Sequence, residues 1–201
     1  THREVLRRPT HYFSRFIPTI CITAVTSSYA GKCMKLIIIG NSGSGKTWLA
    51  GQLAAYYDAP VVHLDELFWM PGGFDTIRSP EEVSALVQQS MMGNDWIVEG
   101  VFGELAEQYL IEAETLIWLD LEWALCKVRL EQRGSESKAH MNRAQSADGL
   151  ARLIEWASHY SSRTDSRSRQ GHSKLFETFT GTRFHLQTEC AVSEFLSVLP
   201  N

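Results

Sequence analysis

A three-layer α/β sandwich around a five-stranded parallel sheet is the fold this sequence predicts, on three observations. Short, continuously apolar, β-branched runs recur along the chain. Helical stretches separate them, and the first run, "KLIIIG" at 35–40, breaks directly into a glycine-rich turn followed by a helix. Strands buried on both faces read as unbroken apolar runs, and parallel neighbours need a helical crossover between them. The 201 residues suffice for one such domain with a full core.

Each element has its own local reason. After "KLIIIG", Leu49, Leu53 and Tyr56/Tyr57 recur on one helical face, and Asp58-Ala59-Pro60 ends that helix. "VVHL" (61–64) reads as the second strand. In "SPEEVSALVQQSM", Ser79 is the N-cap, Pro80 the first helical position and Glu82 the third, which is a capping box ahead of apolar residues. "WIVEG" (96–100) and "TLIWLDL" (115–121) are the third and fourth strands, separated by a helical "FGELAEQYLIEA". Helices follow at about 122–133 and 146–160, then a strand "RFHLQ" (183–187) and a closing helix "ECAVSEFLSVL". The composition shifts at 134–174, where "GSESKAHMNRAQSADG" and "SSRTDSRSRQGHSK" flank the 146–160 helix. Both flanks are polar and are expected to form a mobile insertion rather than core.

Charge and cysteine content narrow the function classes. Residues 1–33 hold five Lys/Arg and one Glu, net +4, so a chain of net −4 leaves −8 on residues 34–201. An acidic body argues against direct DNA binding, which needs many cationic contacts to phosphate. Cys21, Cys33, Cys126 and Cys190 show no metal-ligand spacing, which points to a reducing compartment, the cytoplasm. No apolar run approaches the length of a membrane span. The first 33 residues are basic, contain Pro9 and Pro18 and keep no helix or strand period. They can be read as a signal peptide, but the apolar stretch is short and interrupted. A disordered extension ahead of Met34 is the expectation.

The glycine-rich turn carries the strongest chemical signal. Gly40-Asn41-Ser42-Gly43-Ser44-Gly45-Lys46-Thr47 fits GxxxxGK[ST] in full, with a strand before it and a helix after it. Glycines let several backbone N–H groups converge on one anion, and the helix N-terminus adds its positive end. Lys46 supplies a charge for β- and γ-phosphates, and the Thr47 hydroxyl can ligate Mg²⁺. A nucleotide with magnesium is therefore the expected ligand of the loop.

Ligands of open α/β sheets bind beyond the carboxyl ends of the strands, so the residues there matter next. Asp65 follows strand two, placed to accept a hydroxyl proton or anchor a substrate, with Phe68 and Trp69 as walls of a second pocket. Helix capping by Asp65 and core roles for the two aromatics are the plainer alternative. Glu99 ends strand three where a carboxylate holds Mg²⁺ through water, and Gly100 allows close backbone approach. For Asp120, after strand four, helix N-capping is at least as good a reading as a site role. Arg129 and Arg133 lie four apart on one helical face, either to clamp phosphate or as a solvated basic face. Arg163, Arg167 and Arg169 alternate with serines, which suits a lid over a transferring phosphate and equally an exposed loop.

Taken together, the loop, "IVEG" and "RLEQR" resemble the adenylate-kinase-like branch of the P-loop kinases, which end this strand in Asp-Gly and carry an arginine pair at this spacing where the lid begins. "IIIGNSGSGKT", "HLDELFW", "WIVEGVF", "LIWLDL" and "SKLFETFTGTRFHLQTECAVSEFL" together resemble small bacterial P-loop proteins labelled as adenylate kinases or as DNA topology modulation (FlaR-related) proteins. The likeness spans nearly all of 34–200. It implies a P-loop NTPase fold of the nucleoside monophosphate kinase type with a lid at about 134–174, ATP–Mg²⁺ binding, and phosphoryl transfer to a small-molecule or nucleotide acceptor. It leaves open an ATP-dependent regulator of DNA topology, or an ATPase switch without acceptor. Glu99 replaces the kinases' Asp, and Val101-Phe102-Gly103 replaces their Phe-Pro-Arg, which puts AMP as acceptor in doubt.

Overall fold

The computed structural model describes residues 34–71, 76–133 and 147–199. The expected extension over 1–33 and the insertion residues 134–146 lie outside these. Five strands, β1 (Lys35–Gly40), β2 (Val61–His63), β3 (Trp96–Gly100), β4 (Thr115–Leu119) and β5 (Thr182–Leu186), form one sheet in the order β2-β3-β1-β4-β5. Every pairing is parallel. The expected strands recur within a residue, except that β2 ends one residue early and β4 ends at Leu119, two residues before the apolar run stops.

Alternate residues of each strand feed two separate cores. Ile37, Ile39, Val98, Leu116 and Trp118 pack beneath α3 (Pro80–Ser90), α4 (Gly103–Tyr109) and α7 (Arg169–Thr178). Leu36, Ile38, Ile97, Ile117 and Leu119 pack beneath α1 (Lys46–Tyr57) and α8 (Glu189–Ser197). A two-residue period on strands buried on both faces is why the runs read as continuously apolar. The remaining helices are α2 (Leu64–Phe68), α5 (Trp123–Arg133) and α6 (Ala147–Ser158).

Local chemistry sets the helix ends. The Ser79 side chain accepts the Glu82 N–H while Glu82 accepts the Ser79 N–H, the reciprocal box expected at the start of α3. Asp58 stops α1 in a left-handed conformation, φ 52°.

Two helices were not expected from the sequence. α2 is a single turn following β2 directly. α7 falls in a stretch expected to be mobile and polar, yet Ser168 and His172 are fully buried and Leu175 joins the core. The expectation that 161–174 lies outside the core therefore fails at Ser168 and His172. The reason is that the burial there is polar and hydrogen-bonded, and hydrophobic periodicity cannot register it. From β1 the chain crosses to β2 on one side, whereas β4 leads to β5 on the other. The crevice between the carboxyl ends of β1 and β4 is thus the topological switch point.

Candidate active site

The loop between β1 and α1 turns through three glycines with positive φ: Gly40 at 152°, Gly43 at 80° and Gly45 at 95°. At Gly43 any side chain would collide with the Cys126 carbonyl and the Leu130 side chain of α5, so position 43 needs glycine both for its φ and for its contact. Asn41 locks the start of the loop. Its Oδ1 accepts the Ser42 N–H at 2.8 Å and its Nδ2 donates to the Ala157 carbonyl at 3.0 Å, tying the loop to α6. Lys46 is buried and donates its Nζ to the Asn41 carbonyl at 2.8 Å. Burial lowers its pKa, the carboxylate of Glu99 works against that, and the nearby Arg133 adds to the lowering.

Glu99, at the end of β3, is the most confined carboxylate of the site. It is 1% exposed, and its Oε1 accepts both the Thr47 hydroxyl at 2.9 Å and His63 Nδ1 at 2.7 Å. Its Oε2 is buried with no hydrogen-bond partner. Burial alone would raise its pKa, but the His63 hydrogen bond and the Lys46 charge prevail, so it is held below the usual carboxylate range. A charged, buried oxygen without a donor is costly, and it marks a position meant for a ligand.

Magnesium fits these residues. Thr47 gives its hydroxyl proton to Glu99, which leaves the oxygen's lone pairs available, and the orphaned Oε2 is a hard oxygen acceptor for a metal-bound water. Among the described residues there is no group of three His, Cys, Asp or Glu able to hold a metal unaided. A cation here would thus be shared with the phosphates, as is usual for magnesium.

Asp65 lies in the first turn of α2 and is buried, close beyond the β2 terminus where the sequence put it. Phe68 and Trp69 stand edge-to-face 4.9 Å apart, and Phe68 also packs on Phe102 at 4.6 Å. Both are half-buried against the α3–α4 core, so they serve as wall and core together. Gly100 differs from expectation. A side chain there would meet Leu64 at 2.6 Å, so the missing Cβ makes room for Leu64 and not for a ligand.

The arginines divide. Arg129 reaches the loop, donating to the Ser44 carbonyl at 3.0 Å and pairing with Glu189 at 2.6 Å. Arg133, one turn later, has a buried Nε with no hydrogen-bond partner, and burial lowers its pKa. Arg163 stacks on Trp156 at 3.8 Å and donates to the Arg167 carbonyl at 3.0 Å. Arg167 pairs with Glu104 and lies over Phe68 and Phe102 at 4.4 and 4.3 Å. Instead of riding on a loose segment, Arg167 lies against Phe68 of the second pocket, while Arg163 packs on Trp156 of α6.

Asp120 does not cap α5. Its carboxylate takes Arg169 Nε at 2.9 Å and Nη2 at 2.7 Å, and His185 Nε2 at 2.9 Å. A cavity of about 300 Å³ opens there, lined among others by Asn41, Asp120, Glu122, Trp123, Tyr160 and Arg169. It lies at the switch point between β1 and β4.

Sequence reasoning missed His63, the Asp120–Arg169–His185 cluster and a buried chain behind the site. In that chain Trp118 Nε1 donates to Tyr160 Oη at 3.1 Å, Tyr160 Oη meets His172 Nδ1 at 2.7 Å, and His172 Nε2 meets the Val101 carbonyl at 3.0 Å. The carbonyl only accepts, so Nε2 carries the proton and Nδ1 accepts from the tyrosine. Only His63 had a readable signal, since it ends one strand as Glu99 ends the next.

A parallel α/β sheet whose first strand runs through a GxxxxGK[ST] loop into a helix is the P-loop arrangement. Among solved structures the chain is similar to a gluconokinase from Sinorhizobium meliloti 1021, at 12% identity over 83% of this chain and 89% of that one, TM-score 0.46. It is also similar to a shikimate kinase from Bacteroides thetaiotaomicron, at 15% identity over 82% and 94%, TM-score 0.44. At such distances neither name bears on what this chain acts on. No family model and no curated protein matches the chain, so the likeness to the DNA topology modulation group gains no support from them. No helix among the described residues is long and apolar enough to cross a membrane.

Proposed function

We propose that this chain is an ATP-dependent phosphotransferase, adenylate-kinase-like in its donor half, that moves the γ-phosphoryl group to a small-molecule acceptor in the cytoplasm. The observation that carries this reading is the loop of three positive-φ glycines leading into α1, with Lys46 buried at the helix start and Thr47 hydrogen-bonded to a Glu99 whose second oxygen is buried without a partner. A glycine loop at a helix N-terminus with a lysine charge gathers donors for a polyanion, and a triphosphate fits it.

In this reading the loop backbone from Gly40 to Thr47 cradles the β- and γ-phosphates, and Lys46 bridges them. Thr47 and Glu99 would hold Mg²⁺, which would supply charge neutralisation at the phosphates. The cavity beside Asn41 gives the nucleoside end room, with Trp123 as an aromatic wall. Asp65 accepts the acceptor's hydroxyl proton. The new P–O bond forms to that oxygen, and the bond to the β–γ bridging oxygen breaks, releasing ADP. Arg129 and Arg133 stabilise the charge on the transferring group, and Arg163 and Arg167 line the acceptor side beside Phe68 and Trp69.

AMP is not the acceptor we favour. The Gly103 position, where adenylate kinases carry an arginine, is closed by the Ser166 carbonyl, so no side chain can stand there. Nor does any feature of the site favour a role on DNA topology. A coupled ADP-release assay across nucleosides, nucleotides and small alcohols tests the proposal. Acceptor-dependent ADP release is expected, and ATP binding without turnover raised by any acceptor would overturn it.

A further inference from the structure

One residue of the cluster is not accounted for by phosphate binding. His63 ends β2 directly opposite Glu99 in the parallel register, so the pairing of the two strands itself brings imidazole and carboxylate together. Glu99 is held as an anion and can only accept, so the 2.7 Å contact is an Nδ1–H donated by His63. The Thr47 hydroxyl donates to the same Oε1 at 2.9 Å. Two donors on one oxygen fix the rotation of the carboxylate plane. The other oxygen, Oε2, is left buried and without a partner although donors surround its twin.

We propose that His63 is a positioning residue for the divalent cation. By holding Glu99 Oε1 it keeps Oε2 directed at a cation-bound water, and so sets the affinity for Mg²⁺ while leaving the phosphate cradle untouched. Metal-binding carboxylates are themselves held by hydrogen-bond partners, and losing such a partner costs about 10–100-fold in metal affinity. Thr47 cannot replace it. Its hydroxyl has one proton, and when its oxygen faces the cation that proton alone must hold the carboxylate. This role rests on the phosphotransferase reading, because it needs a cation shared with nucleotide.

The test uses Mn²⁺ as the spectroscopic probe, titrated into the full chain with ATP and followed by the loss of the free-ion electron paramagnetic resonance signal. His63→Leu fills the space without a donor and is expected to weaken Mn²⁺ binding about tenfold or more. His63→Asn places an amide N–H close to the imidazole Nδ1 position and is expected to recover affinity to within about threefold of wild type. Binding of a fluorescent ATP analogue in EDTA should change less than about twofold in either variant, a separation that a merely structural residue would not produce. Thermal melts report whether each variant folds, and the asparagine variant keeps the test valid if the leucine variant does not. Equal Mn²⁺ affinity in wild type and His63→Leu, or no recovery in a folded His63→Asn, would overturn the role of His63 and leave the phosphotransferase reading standing. Wild type that binds neither Mn²⁺·ATP nor the analogue would overturn both.

Discussion

The phosphate loop and the α6–α7 segment meet at one hydrogen bond, Asn41 Nδ2 to the Ala157 carbonyl, yet they are built on opposite principles. The loop is made of backbone: glycines at positive φ, a helix start, and one lysine turned back on the Asn41 carbonyl. The α6–α7 segment is made of side chains: Trp118, Tyr160 and His172 in a buried donor chain, with Ser168 capping α7 and Arg169 on Asp120. The first type of construction leaves charge unsatisfied in readiness for a ligand. The second meets most of its buried polar groups with side-chain and carbonyl partners from β4 and α4's flank, and so fixes position. The difference shows where function and stability reside, and substitutions can separate the two.

The largest effect is expected at Lys46. Lys46→Ala should lower ATP-dependent turnover about 100–1,000-fold, the loss seen when one charge-stabilising group is removed. A thermal melt should show only a small change, because relief of the buried Lys46 cation is offset by the charge withdrawn from Glu99. A strong loss of stability would break the comparison by giving the loop a structural role.

Next is pH. His172 is pushed down from 6.5 to about 4, by burial first, with its hydrogen bond to the Val101 carbonyl opposing and the charge of Lys46 assisting. Its folded pKa lies below its unfolded one, so the stability it contributes is full above about pH 6.5 and lost as pH falls towards 4. A shift of that size corresponds to about 3 kcal/mol. Urea unfolding at pH 7 and pH 4.5 measures it. The pH-dependent difference should shrink in His172→Phe, which has no proton to gain.

Tyr160→Phe removes the link between Trp118 and His172 and leaves a buried donor and a buried acceptor unmet. A loss of about 1–3 kcal/mol by chemical denaturation is expected. ATP-analogue affinity should follow only if Ala157 moves away from Asn41, which directly measures how far the two regions are coupled. The smallest effect is at Ser79. Ser79→Ala removes one half of the α3 capping box and should cost about 1 kcal/mol with no change in nucleotide binding. It calibrates a purely local contribution against the others.

Legibility follows the same division. The five strands, α1, the Ser79 box and the phosphate loop could be read because each is encoded within a few residues, as an apolar run, a cap or a glycine pattern. Glu99 and Asp65 could be placed because strand ends are known once strands are known. Gly100 was misread because the reason for its missing side chain, Leu64, sits on another strand's continuation. α7 went unread because its first turn is set by a buried N-cap serine, Ser168, and a buried histidine, His172, and polar residues report burial only when their partners are known.

By itself the sequence determined the α/β class, the succession of its five strands and a phosphate-binding loop, because backbone conformation and one-dimensional periodicity are local properties. Only the tertiary structure decided that His63 stands opposite Glu99, that Arg129 reaches the Ser44 carbonyl, and that Tyr160 and His172 close a buried chain across the molecule. These depend on strand register and helix packing, which bring together residues tens of positions apart and which no window along the chain contains.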